Sequence, residues 1–245
     1  LTQVASGSSP FRLNLHVDDV GHTLIFGPTG SGKSTLLALI AAQFRRYRGA
    51  QVFAFDKGNS ILPLTLAVDG NHYEIGGEAG EGARLAFCPL SDLSTDTDRA
   101  WASEWIETLV SLQGVTVTPD HRNAISRQIG LMAGAPGRSL SDFVSGVQMR
   151  EIKDALHHYT VDGPMGQLLD AEADGLTLGT FQTFEIEELM NMGERNLVPV
   201  LLYLFRRIEK RLTGNPSLII LDEAWLMLGH ATFRDKIREW LKVLR

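Results

Sequence analysis

A glycine-rich segment carries the clearest chemical signal in this sequence. Residues 27–34 read Gly-Pro-Thr-Gly-Ser-Gly-Lys-Ser and match the pattern G-x-x-x-x-G-K-S in full. Glycines allow such a loop to wrap its backbone N–H groups closely around phosphates. Lys33 offers a mobile positive charge to the β- and γ-phosphates, Ser34 offers a hydroxyl ligand to Mg²⁺, and Thr35 is placed to contact the α-phosphate. The predicted nucleotide-binding residues are Gly27, Pro28, Thr29, Gly30, Ser31, Gly32, Lys33, Ser34 and Thr35.

A pair of acids near the end of the chain supplies the second chemical signal. Residues 218–223 read Leu-Ile-Ile-Leu-Asp-Glu, so Asp222 is expected at the carboxyl end of a buried strand, where open α/β sheets bind their ligands. There Asp222 can hold Mg²⁺ or its water, and Glu223 is the candidate general base that orients an attacking water. A solvated turn or a helix cap is the alternative for such a pair alone. Together with the loop, the pair predicts ATP and Mg²⁺ as ligands and Lys33, Asp222 and Glu223 as catalytic residues.

The elements that must position these residues alternate between strand and helix. Residues 22–26, 51–55 and 217–221 are short apolar runs typical of buried strands, and residues 33–48 form an amphipathic helix pattern that ends at Gly49. Strands that are apolar throughout favour a parallel sheet covered on both faces. The loop therefore lies between a predicted strand and a predicted helix, which is the typical setting of a phosphate-binding loop.

The middle of the chain has a different character, because strand patterns give way to helix patterns. Thr118 followed by Pro119 is typical of a helix start. We predict a RecA-like core in two parts, residues 1–95 and 173–245, with a helical insertion subdomain at 96–172. The predicted helices beyond the first cover residues 98–113, 119–132, 140–147, 150–158 and 197–212.

Length and composition exclude several classes of protein. A chain of 245 residues and 27.0 kDa, with 44% hydrophobic and 21% charged residues, is neither collagen-like nor disordered nor a small disulfide scaffold. Its single cysteine, Cys88, is expected to be a small buried hydrophobe. The longest apolar stretch, at 197–205, is too short to cross a bilayer. The chain begins at Leu1 rather than Met and shows no signal peptide, so we expect a piece of a longer protein.

Three other groups of residues carry weaker signals. Asp56 ends the second predicted strand, and either a nucleotide site or the turn at 56–59 explains it. His72, His121, His157 and His158 lack metal-ligand spacing and are expected at the surface or at helix ends. Trp101 and Trp105 are four residues apart, which is typical of a helix face buried in a core or an interface. Nucleic-acid binding is not favoured, because the net charge is −6 and the basic residues are not clustered strongly.

The spacing of the motifs and four local segments point to a family. Between Lys33 and Asp222 lie 188 residues, which favours a RecA-like motor core with an insertion over a small kinase or GTPase. The segments GPTGSGKS at 27–34, FAFDKGNS at 53–60, FQTFEIEELM at 181–190 and LIILDEAW at 218–225 resemble the ATPases of type IV secretion and conjugation machines, the TrbE/CagE class. The resemblance runs from about residue 11 to residue 245, and only the first and last segments are specific.

This resemblance implies a fold, an activity and partners. It implies the C-terminal ATPase domain of such a protein, with an all-helical subdomain, acting as a homo-hexamer with other secretion-system subunits at the cytoplasmic face of the bacterial inner membrane. Lys33 and Ser34 match the family's Walker A positions, and Asp222 and Glu223 match its Walker B positions. From the resemblance we expect the family's large N-terminal domain, its last core strands and its sensor and arginine-finger elements to lie outside the given sequence. Two alternatives stay open, namely a hexameric DNA-pumping translocase and a nucleotide-binding assembly element without turnover in isolation.

Overall fold

Four parallel strands form the central sheet of the protein. The structure is a computed structural model that describes residues 2–3, 7, 10–11, 13–16, 18, 20–77, 85–224, 228–229 and 231–243. A short antiparallel pair, β1 (Thr2–Gln3) and β2 (Pro10–Phe11), stands apart from the sheet. The sheet has the order β4-β5-β3-β6, with every pairing parallel. Its strands are β3 (Gln51–Asp56), β4 (Asn71–Glu74), β5 (Phe181–Glu185) and β6 (Ser217–Leu221).

Helices occupy most of the remaining described residues. Two of them, α1 (Lys33–Phe44) and α2 (Leu62–Ala67), lie between the loop at 27–32 and β4 in the chain. The stretch between β4 and β5 contains α3 (Asp96–Leu112), α4 (Pro119–Ala133), α5 (Leu140–Gly146), α6 (Arg150–Leu156), a 3₁₀ turn (His157–Tyr159) and α7 (Gly166–Leu169). After β5 come α8 (Glu187–Asn191), α9 (Glu194–Arg211) and, beyond β6, α10 (Ala231–Val243).

The two faces of the sheet belong to two hydrophobic clusters, because successive side chains of a strand point to opposite sides. Val52 and Ala54 of β3 pack with Ala41 of α1 and with residues around α2. Phe53 and Phe55 instead belong to a larger cluster that contains residues of α3, α4, α5, α6 and α9. The result is a three-layer α/β arrangement with β3 buried at all six positions.

Most of the elements expected from the sequence are present. β3 and β6 match the predicted strands, and the five helices predicted after the first lie within a few residues of α3, α4, α5, α6 and α9. Thr118 caps α4, because its side chain accepts a hydrogen bond from the backbone N–H of His121. The first helix is shorter than predicted and ends at Phe44, so that residues 45–48 form a turn before Gly49. The domain boundaries at residues 95/96 and 172/173 stay a prediction.

The strand predicted at residues 22–26 does not form. These residues form neither strand nor helix, and the side chains of Leu24 and Phe26 are 70% and 84% exposed. A strand forms only where a neighbour takes its N–H and C=O groups, and apolar residues alone do not supply one. Within the part of the chain that the structure describes, no strand pairs with the outer side of β6, so the sheet ends there.

Two side chains from the helices inserted before β5 bond to α9 around a proline, and one of them replaces the hydrogen bond that the proline cannot make. Pro199 has no N–H, so the carbonyl of Arg195 loses its usual helical partner. The hydroxyl of Tyr159 donates to that carbonyl at 3.0 Å, and the indole N–H of Trp105 donates to the carbonyl of Pro199 at 3.0 Å. These bonds fix α3 and the 3₁₀ turn against α9. Among the described residues, no helix is both long enough and apolar enough to cross a membrane.

Candidate functional site

The glycine-rich loop lies at the surface before α1 and has the backbone that its sequence requires. All of residues 27–32 are exposed. Gly30 and Gly32 have φ values of +79° and +89°, in the left-handed region that residues with a Cβ seldom adopt. At Gly27 a Cβ would lie 2.5 Å from the Ser31 hydroxyl oxygen, so a side chain there would clash with Ser31 unless the serine moved. The loop is thus open to an incoming anion.

Two features place positive charge beside this loop. Lys33 is the first residue of α1, so the N-terminus of that helix, with its unpaired N–H groups, adjoins the loop. The Lys33 ammonium donates to the carbonyl oxygens of Gly27 at 2.9 Å and Pro28 at 3.1 Å. The lysine side chain therefore lies over the loop, where it can turn from those carbonyls to a bound phosphate.

The structure brings the two predicted motifs into direct contact. The hydroxyl of Ser34, in the first turn of α1, donates to Oδ2 of Asp222 at 3.2 Å. Asp222 follows β6, is 8% exposed, and its backbone N–H donates to the carbonyl of Phe55 in β3 at 2.9 Å. Its Oδ1 accepts from the backbone N–H of Glu223 at 3.1 Å. The parallel pairing of β3 and β6 thus fixes the carboxylate beside the start of α1.

Two further buried carboxylates lie along the same edge of the sheet. Asp56 ends β3 and Glu185 ends β5, and the strand register places them opposite each other. Asp56 is fully buried, and its Oδ2 accepts from the backbone N–H of Ile61 at 2.7 Å. Oε2 of Glu185 accepts from the backbone N–H of Asn59 at 2.6 Å. Both acids therefore hold the loop 57–61 against the site.

Ser60, between those two anchored residues, connects the carboxylates. Its hydroxyl is 2.6 Å from Oδ1 of Asp56 and 3.4 Å from Oδ2 of Asp222. Asp56 is thus both a turn residue and a neighbour of the predicted magnesium ligand, which combines the two interpretations that the sequence left open. Ser60 and Glu185 lie within the segments 53–60 and 181–190 that carry the family resemblance, but the sequence assigned neither of them a role. The signal was a run of small and polar residues directly after a buried strand.

The oxygen atoms at this edge suit Mg²⁺, since it prefers oxygen ligands. Ser34 and Asp222 supply a hydroxyl and a carboxylate oxygen 3.2 Å apart. Glu223 follows with a φ of +55°, a left-handed conformation that is strained for a residue with a side chain. Strained backbone persists where the surrounding structure enforces it, often at functional sites.

Other residues considered in the sequence analysis lie elsewhere. Cys88 is fully buried, and burial raises the pKa of its thiol to about 11, so it is protonated at neutral pH. Trp105 is buried in the larger cluster and stacks on Trp101 at a ring distance of 6.0 Å. His121 is buried at the start of α4, where its Nε2 lies 2.9 Å from Oε2 of Glu151. Each of these residues has a role in packing or capping.

Comparisons with known proteins agree with this architecture. A family model described as "DUF87: Helicase HerA, central domain" matches residues 3–59. The conjugal transfer protein TrbE of Rhizobium radiobacter is 84% identical over 248 aligned residues, which cover 100% of this chain and 30% of that protein. The type IV secretion system protein virB4 of Bartonella henselae is 28% identical, over 97% of this chain and 30% of that protein.

A solved structure has the same fold. VirB4 of Thermoanaerobacter pseudethanolicus superposes with a TM-score of 0.58 and 16% identity, over 81% of this chain and 59% of that one. Together with the all-parallel sheet and its covering helices, this similarity shows a RecA-like α/β core. The chain spans 30% of the length of the curated relatives described above. The resemblance found in the sequence is thereby confirmed: over nearly its full length this chain is similar to part of the conjugal transfer protein TrbE and to part of the type IV secretion system protein virB4.

Proposed function

We propose that this chain binds ATP with Mg²⁺ at the loop 27–34 and hydrolyses it, as the ATPase part of a type IV secretion and conjugation machine. One observation carries the proposal. The Ser34 hydroxyl and the Asp222 carboxylate, which lie 188 positions apart in the chain, are 3.2 Å apart in space. A hydroxyl from the start of a phosphate-binding helix and an acid from the end of a neighbouring strand are the protein ligands that such a magnesium site uses.

Each residue has a role in this proposal. The backbone N–H groups of residues 27–32 and the N-terminus of α1 hold the phosphates, and Lys33 turns from the loop carbonyls to the β- and γ-phosphates. Ser34 and Asp222 hold Mg²⁺ or its water, and Thr35 contacts the α-phosphate. Glu223 orients the water that attacks the γ-phosphate in line. Bound Mg²⁺ neutralises the charge that develops on the phosphate oxygens.

The wider assembly is part of the proposal. The names of the relatives support a place beside other secretion-system subunits. We propose the cytoplasmic face of the inner membrane as its location. We propose a homo-hexamer in which a neighbouring subunit completes each nucleotide site. The proposed organisation is a core in two parts, 1–95 and 173–245, with the helical insertion at 96–172.

DNA pumping is the second candidate, and exposed arginines favour it. Arg45, Arg46 and Arg48 are exposed after the end of α1. This helix has 12 residues, so they lie about 18 Å from the nucleotide loop. DNA bound there would not contact the nucleotide, and its binding would weaken as salt screens the phosphates.

The test is ATP binding and steady-state hydrolysis with Mg²⁺ over a series of protein concentrations. Lys33→Ala should bind no measurable ATP, because the phosphates lose the cation of the loop. Lys242→Ala is the matched control, since Lys242 is an exposed lysine on α10. Unchanged ATP affinity in Lys33→Ala would refute the assigned site.

The same assay, repeated with single-stranded and double-stranded DNA, separates the alternatives. We expect turnover that rises with protein concentration and is indifferent to DNA. Stimulation by DNA that disappears at high salt would instead support the translocase. ATP binding without turnover at every concentration would support the nucleotide-binding assembly element.

A further inference from the structure

The hydroxyl of Ser60 faces two carboxylates but has only one proton to donate. Asp56 is the nearer acceptor, with its Oδ1 at 2.6 Å, and therefore accepts the hydrogen bond from the Ser60 hydroxyl. Oδ2 of Asp222, at 3.4 Å, then faces a lone pair of the same hydroxyl oxygen. Two acceptor oxygens this close repel each other, and their proximity becomes favourable only when a cation or a water molecule binds to both.

The position of Ser60 is fixed from both sides. The backbone N–H of Asn59 donates to Glu185 at 2.6 Å, and that of Ile61 donates to Asp56 at 2.7 Å. Both acids are buried, so the bonds are shielded from water. The turn also has Gly58 and Asn59 at φ values of +78° and +57°. This anchoring holds the Ser60 hydroxyl at the site before any ligand arrives, which lowers the ordering cost of binding.

We propose that Ser60 is a third protein oxygen on the magnesium side of the nucleotide site, and that Asp56 orients it. This inference rests on the proposed function. Ser34 approaches Asp222 from the helix side and Ser60 approaches the same Oδ2 from the loop after β3. An ion at Asp222 would therefore meet oxygen atoms from three segments of the chain, with Ser60 bound directly or through a water of the ion.

The role of Asp56 follows from its bonds. Its Oδ1 accepts from the Ser60 hydroxyl and from the backbone N–H of Lys57, and its Oδ2 accepts from the N–H of Ile61. Because Asp56 accepts the hydrogen bond from the Ser60 hydroxyl, the lone pairs of the Ser60 oxygen point towards Asp222. Asp56 is thus a positioning residue that acts through Ser60.

The test measures ATP affinity by calorimetry in excess Mg²⁺ and again in EDTA. The variants are Ser60→Ala, Ser60→Thr, which keeps the hydroxyl, and Ser111→Ala, an exposed serine on α3, as control. The quantity compared is the factor by which Mg²⁺ tightens ATP binding. Changes to groups that support a metal site typically reduce metal affinity about 10- to 100-fold, so we expect a loss of roughly that size in Ser60→Ala. ATP affinity in EDTA should not change, and Ser60→Thr and Ser111→Ala should behave like the parent.

The outcomes separate this inference from the function on which it rests. An undiminished Mg²⁺ effect in Ser60→Ala overturns the inference and leaves the nucleotide site intact. A loss of affinity that is equal in Mg²⁺ and in EDTA also overturns it, because Ser60 would then only shape the loop. If the ATP affinity of the parent protein is the same in Mg²⁺ and in EDTA, the site does not use Mg²⁺ to bind ATP, and the role of Ser60 towards the metal is refuted. Absence of ATP binding in the parent refutes the proposed function itself.

Discussion

Glu223 combines a strained backbone with a position next to the buried carboxylate of Asp222. Its φ of +55° follows directly after β6, where the chain leaves the sheet. We expect Glu223→Gln to bind ATP as the parent does, because the substitution keeps the size of the side chain. Hydrolysis should fall by ~10²-fold or more, since a positioned general base contributes about that factor. Steady-state phosphate release and ATP titration measure the two effects.

The control for this variant is Glu104→Gln, at an exposed glutamate on α3 far from β6 in the chain. It should leave turnover unchanged. Equal turnover in Glu223→Gln and the parent would remove Glu223 from the role of base and leave Asp222 as the only acid of the pair with a proposed function.

Individual site residues differ in how far the sequence reveals them. Lys33, Ser34 and Asp222 belong to motifs whose residue types are dictated by phosphate and magnesium chemistry, so a sequence alone singles them out. Glu185 and Ser60 join the site through hydrogen bonds between residues that are 126 and 162 positions apart in the chain, respectively. No local pattern encodes such a distance, and their part in the site becomes visible only in the fold.

At the scale of elements, the proline in α9 leaves one backbone carbonyl of that helix to be hydrogen-bonded by a side chain from the inserted segment. Tyr159 is fully buried, and its hydroxyl satisfies the Arg195 carbonyl that Pro199 leaves without a helical partner. Tyr159→Phe should therefore lower the free energy of unfolding by about 0.5–1.5 kcal/mol, the usual net contribution of one hydrogen bond. Urea unfolding followed by circular dichroism measures it.

Tyr47→Phe is the comparison for this prediction. Tyr47 is 47% exposed, and its hydroxyl accepts a long bond of 3.4 Å from Arg46. Its loss should change stability by less than about 0.5 kcal/mol. If the two variants unfold at the same urea concentration, the bond from Tyr159 to α9 contributes nothing.

A buried ion pair joins α3 to α9 and makes stability depend on pH. Burial raises the pKa of Asp98, but hydrogen bonds from Lys210, Thr95 and Arg206 outweigh it and hold that pKa well below its usual value. A carboxyl whose pKa is lowered in the folded state stabilises the protein above its unfolded pKa of about 4. That contribution is lost as the pH falls from there through the folded pKa.

Asp98→Asn should consequently cost about 1.5–3 kcal/mol at pH 7, the range for hydrogen bonds to charged groups. The difference from the parent should shrink as the pH falls below ~4. Urea unfolding at several pH values measures this. A difference that stays constant across that range would contradict the assigned pKa shift.

The elements themselves were predicted unevenly, for physical reasons. β3 and β6 are apolar in nearly every position, and the long helices carry clear periodicity and caps, so both kinds of element are visible in the sequence. β5 escaped prediction because Gln182 and Thr183 interrupt it, although Thr183 is fully buried with its hydroxyl 2.5 Å from that of Thr65. β4 is short and polar. Both of these strands depend on neighbours that lie far away in the chain.

At the scale of the whole molecule, the site exists only where distant segments meet. The start of α1, the loop after β3, the end of β5 and the end of β6 all converge on one edge of the sheet. The larger hydrophobic cluster also runs without interruption from the sheet face through α3 to α6 and α9. The inserted helices, α9 and one face of the sheet are therefore supported by one core, whereas α1 packs in the smaller cluster on the other face.

The outer side of β6 has a consequence for amide hydrogen exchange. The pairing with β3 runs through Pro216, Leu218, Ile220 and Asp222, because Gln51 donates to Pro216 and Asp222 donates to Phe55 in a parallel register. The N–H groups of Ser217, Ile219 and Leu221 point the other way, to the side where no described strand pairs.

Exchange with deuterium should therefore alternate along this strand, slow at Leu218 and Ile220 and fast at Ile219 and Leu221. Nuclear magnetic resonance resolves the individual amides, and the fully buried β3, which is paired on both sides, is the internal reference. Uniform slow exchange across β6 would mean that another strand closes this side in solution. Alternating exchange along β6 would thus show, residue by residue, that β6 is an edge strand.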